Sequence, residues 1–130
     1  MSRRKSPVLT DHELRLMEVL WEKKQATVAE VVSALKPPPL AYSTVLTTLR
    51  TLEQKGHITH EEDGRAFVYR PLVERMAAAK SALHHLLGRF FGDSPGALAV
   101  TLLDDARLSA DDVAKIRQIL AKKRSGARWS

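Results

Sequence analysis

The stretch that decides the fold runs Tyr42-Ser43-Thr44-Val45-Leu46-Thr47-Thr48-Leu49-Arg50-Thr51-Leu52-Glu53-Gln54-Lys55-Gly56 and continues His57-Ile58-Thr59-His60-Glu61-Glu62-Asp63-Gly64-Arg65-Ala66-Phe67-Val68-Tyr69-Arg70-Pro71. Its first half has a helical period. At about 100° per residue, Val45, Leu49 and Leu52 fall on one face, with Ser43, Thr47, Arg50 and Gln54 opposite. Gly56 stands where a left-handed C-terminal cap belongs. An ordinary solvated helix face would carry Lys and Glu at most positions, whereas this one offers short hydroxyls and one Arg. Threonine is a mediocre helix former, so propensity does not account for Thr44, Thr47, Thr48 and Thr51 in one helix. Short side chains let a helix backbone sit deep in a DNA major groove, where Thr methyls meet thymine methyls and hydroxyls serve bases or phosphates. Ser43, Thr44, Thr47 and Arg50 are therefore candidate base readers, with Tyr42 and Thr51 at their flanks.

After Gly56 the period switches to two. Asp63-Gly64 lies between two alternating runs, a hairpin signal because Gly supplies the positive φ that a tight turn needs. Arg65 then falls at the hairpin tip, suited to a phosphate contact, and Pro71, with no N–H for the ladder, ends the second strand. Upstream, Thr10-Asp11-His12-Glu13 and Thr27-Val28-Ala29-Glu30 each have the Thr-x-x-Glu spacing of a capping box, and each opens an apolar-periodic run. Lys36-Pro37-Pro38-Pro39 stops the second run by removing backbone donors. Three helices and a hairpin predict a winged helix-turn-helix, so the chain is expected to be mainly α with a small β-hairpin.

From Leu72 the helical pattern returns, through Met76, Leu83, Leu86, Leu87, Phe90 and Phe91, until Gly92-Asp93-Ser94-Pro95-Gly96 breaks it. Ala97 to Leu103 reads as a short apolar helix, and Ser109-Ala110-Asp111-Asp112 caps a last one carrying Val113, Ile116, Ile119 and Leu120. Helices this short and apolar do not cover themselves in a monomer. Leu83, Leu86, Leu87, Phe90, Phe91, Leu98, Leu102, Ile116 and Leu120 are the expected dimerisation residues. A two-fold dimer would place two reading helices roughly 34 Å apart, one DNA turn, and so suit a palindromic operator. The expected organisation is a basic N-terminal arm at 1–8, a winged-helix domain at 9–72, a helical dimerisation region at 73–122 and a basic tail at 123–130.

The net charge of +6 suits a polyanionic partner, but its distribution is uneven. Residues 1–75 hold twelve Lys and Arg against ten Asp and Glu, residues 76–121 five against five, and residues 122–130 four against none. Arg3-Arg4-Lys5 and Lys122-Lys123-Arg124 are runs that either seek phosphate or are merely solvated. The modest excess of the winged part leaves a rival open, a winged-helix module that binds protein and no specific DNA. The absence of Cys excludes disulfides, thiolate metal sites and Cys nucleophiles. His12, His57, His60, His84 and His85 show no ligand spacing, and neither a phosphate-cradling Gly loop nor a nucleophile with its base is present, so no metal, cofactor or enzymatic activity is expected. No apolar run reaches the roughly 18 residues of a membrane span, which predicts a cytoplasmic protein.

These residues together resemble the BlaI/MecI penicillinase and methicillin-resistance repressors, over about Leu9 to Lys122. The shared pattern is Leu9-Thr10, Trp21, Thr27-Val28, Tyr42-Ser43-Thr44-Val45, Gly64-Arg65 with Tyr69 and Pro71, Phe90-Phe91-Gly92, and Leu108-Ser109. The resemblance implies a homodimeric repressor on a palindromic double-stranded operator. Its antibiotic-responsive members are released when a membrane sensor protease cuts an Asn-Phe bond in the dimerisation region. The aligned pair here is Thr101-Leu102, which implies either a sensor protease of different specificity as partner or release without a cut at this bond. Leu46 stands where the family's reading helix often offers a larger polar or basic side chain, which implies a different base preference.

Overall fold

The computed structural model describes residues 8–105 and 107–126. The elements are α1 (Asp11–Lys23), β1 (Ala26–Thr27), α2 (Val28–Ala34), α3 (Tyr42–Gln54), β2 (Ile58–Asp63), β3 (Ala66–Pro71), α4 (Arg75–Phe90), α5 (Pro95–Asp105) and α6 (Ala110–Gly126). They group into two compact units, one ending at Leu86 and the other beginning at Leu87. The Arg3-Arg4-Lys5 run lies outside the described residues. Helix α6 continues through Lys123 and Arg124 to Gly126, so the basic tail expected from residue 123 is helical at its start.

Both capping boxes form. Thr10 Oγ1 accepts from the Glu13 N–H while Glu13 Oε1 accepts from the Thr10 N–H, and Thr27 and Glu30 reciprocate in the same way. Each box satisfies two helix-end donors that have no partner within the helix. The core of the first unit is then built by periodicity: Leu16, Met17 and Leu20 of α1, Val31 of α2 and Val45, Leu49 and Leu52 of α3 are fully buried. Ile58 and Tyr69 close that core from the sheet. The Trp21 indole N–H donates to the Val73 carbonyl at 2.8 Å and ties the chain leaving the sheet back onto α1.

The sheet departs from expectation in two ways. It has three antiparallel strands in the order β1-β3-β2, because Ala26 and Thr27 pair with Tyr69 and Val68. A two-residue strand has no period to read, and it exists only through its partner. The turn is also shifted by one residue. Asp63 pairs with Ala66, so the central residues are Gly64 and Arg65, not Asp63 and Gly64. Gly64 has φ +65°, which suits the first central position of a type II′ hairpin turn.

In the second unit, Leu87 is buried. The chain leaves α4 through Gly92 and Asp93, both with positive φ, and the Asp93 N–H donates to the Leu87 carbonyl at 3.0 Å. Pro95 sits at the first position of α5, where its missing N–H costs nothing, behind Ser94, whose Oγ accepts from the Ala97 N–H at 3.0 Å. Ser109 caps α6 in the same way through the Asp112 N–H.

Candidate nucleic-acid interface

Helix α3 enters without a side-chain cap at Ala41, after the Pro37-Pro38-Pro39 segment. That segment is held from α1: the Arg15 guanidinium donates to the Lys36 carbonyl at 2.6 Å and also to the Pro38 carbonyl. With Val45, Leu49 and Leu52 driven into the core, the opposite face is fixed by geometry. Tyr42, Ser43, Thr47, Arg50 and Gln54 are exposed, and Thr44 and Thr51 are half-buried. The expected reading residues are therefore brought to one accessible face. Leu46 is half-buried and packs against the core, so this helix turns an apolar residue inward at that position.

The hydroxyls are not equivalent. Thr51 Oγ1 donates to the Thr47 carbonyl at 3.2 Å and Thr48 Oγ1 to the Thr44 carbonyl at 2.7 Å, the usual back-bond of Thr within a helix. Their protons are taken, and Thr51 is left as an acceptor. Ser43, Thr44 and Thr47 show no such bond, so each can donate as well as accept.

The wing lies beside the last turn of α3. His60 on β2 faces Tyr69 across the ladder, and its Nδ1 lies 2.8 Å from both oxygens of Glu53. Its ring centroid is 4.7 Å from that of Phe67 and 5.3 Å from that of Tyr69. Burial, followed by the negative charge of Glu53, pushes the Tyr69 phenol above its ordinary value, and Arg50 partly opposes this. Arg50, Glu53 and Tyr69 thus share one electrostatic neighbourhood. Every residue from Glu61 round the turn to Phe67 is exposed, including Arg65 at the tip. Arg70 is held by Glu61, across the ladder from its neighbour Val68, which leaves Arg65 as the unpaired cation of the hairpin among the described residues.

The Glu53–His60 contact was not legible beforehand. Strand alternation puts His60 on the same face as Tyr69, but its partner depends on how the hairpin folds back on α3. A second contact of this kind joins Lys55, at the end of α3, to Glu13 in the first capping box at 2.8 Å, with both side chains almost fully buried. Among the described residues no group of three or more His, Cys, Asp and Glu is placed to hold a metal ion, and no helix is long and apolar enough to cross a membrane.

The expected dimerisation residues divide by exposure. Leu83, Leu86, Phe90, Leu102 and Leu120 are exposed, Phe91, Leu98 and Ile116 are half-buried, and Leu87 is already buried in the single chain. Helix α5, Pro-Gly-Ala-Leu-Ala-Val-Thr-Leu-Leu-Asp-Asp, has no buried residue at all.

A three-helix core, a polar outward face on the third helix and a hairpin beside it define a winged helix-turn-helix, a fold of transcription regulators. Residues 9–122 match the penicillinase repressor family, and the chain belongs to that family. It is 28% identical over 123 residues to the penicillinase repressor of Bacillus licheniformis, covering 94% of this chain and 96% of that one. It is 31% identical over 120 residues to the transcriptional regulator BlaI of Mycobacterium tuberculosis, covering 91% and 86%. The solved complex of hsRosR-S4 shares the fold at 18% identity with a TM-score of 0.53, covering 90% of each chain.

Proposed function

We propose that the chain is a cytoplasmic homodimeric repressor, without enzymatic activity, that holds a palindromic operator. In this reading Ser43, Thr44, Thr47 and Arg50 read the major groove, Tyr42 and Thr51 flank them, and Arg65 anchors the wing on a phosphate. One observation carries the proposal: α3 presents short hydroxyls and an unpaired Arg outward from a fully buried apolar face, in a chain of a repressor family. The dimer rests on α5, since an apolar helix with no buried residue calls for a partner, and a second copy supplies the symmetry a palindrome needs. Binding of the purified protein to promoter DNA should weaken steeply with salt as counterions return to the phosphates. Sequencing the DNA it retains from its own genome would name the operator. Salt-insensitive retention with no shared sequence would favour the rival reading, a protein-binding winged helix.

Arg50→Ala and Arg65→Ala should fail differently. A base-reading Arg is worth roughly 1–3 kcal/mol and its loss relaxes specificity, whereas a lost phosphate contact weakens all sequences alike and lowers the salt slope by about one. Identical sequence profiles for the two variants would overturn this division of roles.

Release is expected to differ from that of the antibiotic-responsive members. Thr101 and Leu102 lie exposed on α5, and the Thr101 hydroxyl donates to the Ala97 carbonyl at 2.9 Å. With neither Asn nor an aromatic ring at this bond, a protease specific for that pair has nothing to recognise. Either a protease of different specificity acts, or derepression proceeds without this cut. Intact-mass measurement after β-lactam exposure should show no cleavage between Thr101 and Leu102; a clean cut there would restore the family mechanism.

A further inference from the structure

We propose that His60 is the positioning residue of the wing: by hydrogen-bonding Glu53 it fixes the angle at which the hairpin leaves the reading helix, and so delivers Arg65 to the DNA backbone. The inference rests on the operator-binding reading above and adds to it the part that orients the wing.

The hairpin is anchored at its base and free at its tip. Ile58 and Tyr69 are buried in the core, and β1 holds β3 through Tyr69 and Val68. Beyond His60 and Tyr69, residues 61–67 are exposed. The Glu61–Arg70 pair joins the two strands to each other but not to α3. The His60–Glu53 contact is thus the last tie to the reading helix before the free end. A carboxylate only accepts, so the Nδ1 of His60 carries the proton and donates. Phe67 and Tyr69 flank the imidazole and limit its rotation.

Three further residues of β2 and Gly64 of the turn carry the chain from His60 to Arg65, a lever of roughly 12 Å at the rise of a strand. A swing of roughly 10° at its base moves the tip by about 2 Å, well outside the few tenths of an ångström that a phosphate hydrogen bond tolerates. A clamp of modest strength at the fulcrum therefore decides whether Arg65 and Arg50 engage one duplex together.

The test uses the full chain and a duplex selected by the wild-type protein from a random library, with affinity measured against salt. Arg65→Ala should lower the salt slope by about one. His60→Phe keeps a ring between Phe67 and Tyr69 but loses the donor, and should lower the slope by about as much. Adding Arg65→Ala to it should lower the slope no further, since the displaced Arg65 has already lost its phosphate. His60→Asn, which returns an N–H close to the position of Nδ1, should recover the wild-type slope. Glu53→Ala, acting from the helix side, should reproduce His60→Phe and keeps the test alive if that variant folds poorly. Base preference should be unchanged throughout. A wild-type slope in His60→Phe, additive losses in the double variant, no recovery in His60→Asn or an altered base preference would each overturn the clamp. If Arg65→Ala alone leaves the slope intact, the wing–phosphate contact itself is wrong and the clamp falls with it.

Discussion

Lys55→Met should destabilise the winged unit by about 3–5 kcal/mol, because it leaves a carboxylate buried without its counter-charge. Lys55 Nζ lies 2.8 Å from Glu13 Oε1, and their side chains are 6% and 4% exposed. The ammonium also reaches the Val8 carbonyl at 3.4 Å, and the same Glu13 oxygen accepts from the Thr10 N–H. One ion pair therefore joins the α1 capping box, the entry to α1 and the end of α3. Glu13→Gln should cost less, roughly 1–3 kcal/mol, since the amide oxygen still accepts from Thr10. The double variant Glu13→Gln/Lys55→Met should lose less than the two single losses combined, since neither ion remains unpaired. Urea midpoints of the four proteins check this, and strictly additive losses would mean that the pair does not act as a unit. Against a typical total of about 5–15 kcal/mol, the Lys55 variant sits near the edge of unfolding.

The same pair makes stability depend on pH in a definite direction. Burial raises the Glu13 carboxyl, but the Lys55 hydrogen bond, the Thr10 N–H and the Lys55 charge together outweigh it and hold the group below its ordinary value. A depressed folded-state value contributes stability that is fully present above the unfolded value, about 4.3, and is lost as pH falls through the folded one. The gap between wild type and Glu13→Gln should therefore be widest near neutral pH and narrow progressively as pH falls below about 4.3. A gap that does not narrow as pH falls below the ordinary carboxylate value would mean that the charge of Glu13 is not its source.

Features whose determinants lie within a few residues were legible in the sequence. The capping boxes at Thr10 and Thr27 are three-residue patterns, and the buried stripe Val45, Leu49 and Leu52 follows from period, as does the exposed set Ser43, Thr47 and Arg50. Features that depend on docking were not. Glu13 reads as a surface capping residue, and it is buried only because α3 brings Lys55 to it from 42 residues away. Strand β1 becomes a strand only when β3 arrives beside it. The turn falls one residue later than the Asp-Gly pair suggests, because Gly64, at φ +65°, supplies the positive φ of the first central position of a type II′ turn; both registers keep Tyr69 on the same face, so alternation alone does not choose between them. On the outward face of α3 the period revealed which side chains point out, but not that the Thr51 hydroxyl is turned back on its own helix.

Leu102→Asp should convert the protein from dimer to monomer at micromolar concentration and lower its affinity for a full palindrome by about 10²–10⁴-fold, the range that tethering a second reader supplies. The site is chosen because Leu102 is 55% exposed in the single chain and α5 buries nothing there. A substitution at such a position costs an isolated chain little, usually within about 0.5 kcal/mol. At the centre of an interface, by contrast, it would bury a carboxylate against apolar side chains without a partner, and that penalty falls on association alone. Affinity for a single half-site should stay at the wild-type value, because the reading face of α3 is untouched. That contrast separates loss of the dimer from loss of the fold, which would abolish both. On the proposed dimer, a cut anywhere in α5 would act in the same way, since a severed helix and a charged one would fail through the same lost effective concentration. Sedimentation showing an unchanged dimer for Leu102→Asp would take α5 out of the interface, and with it the symmetry on which the palindrome rests.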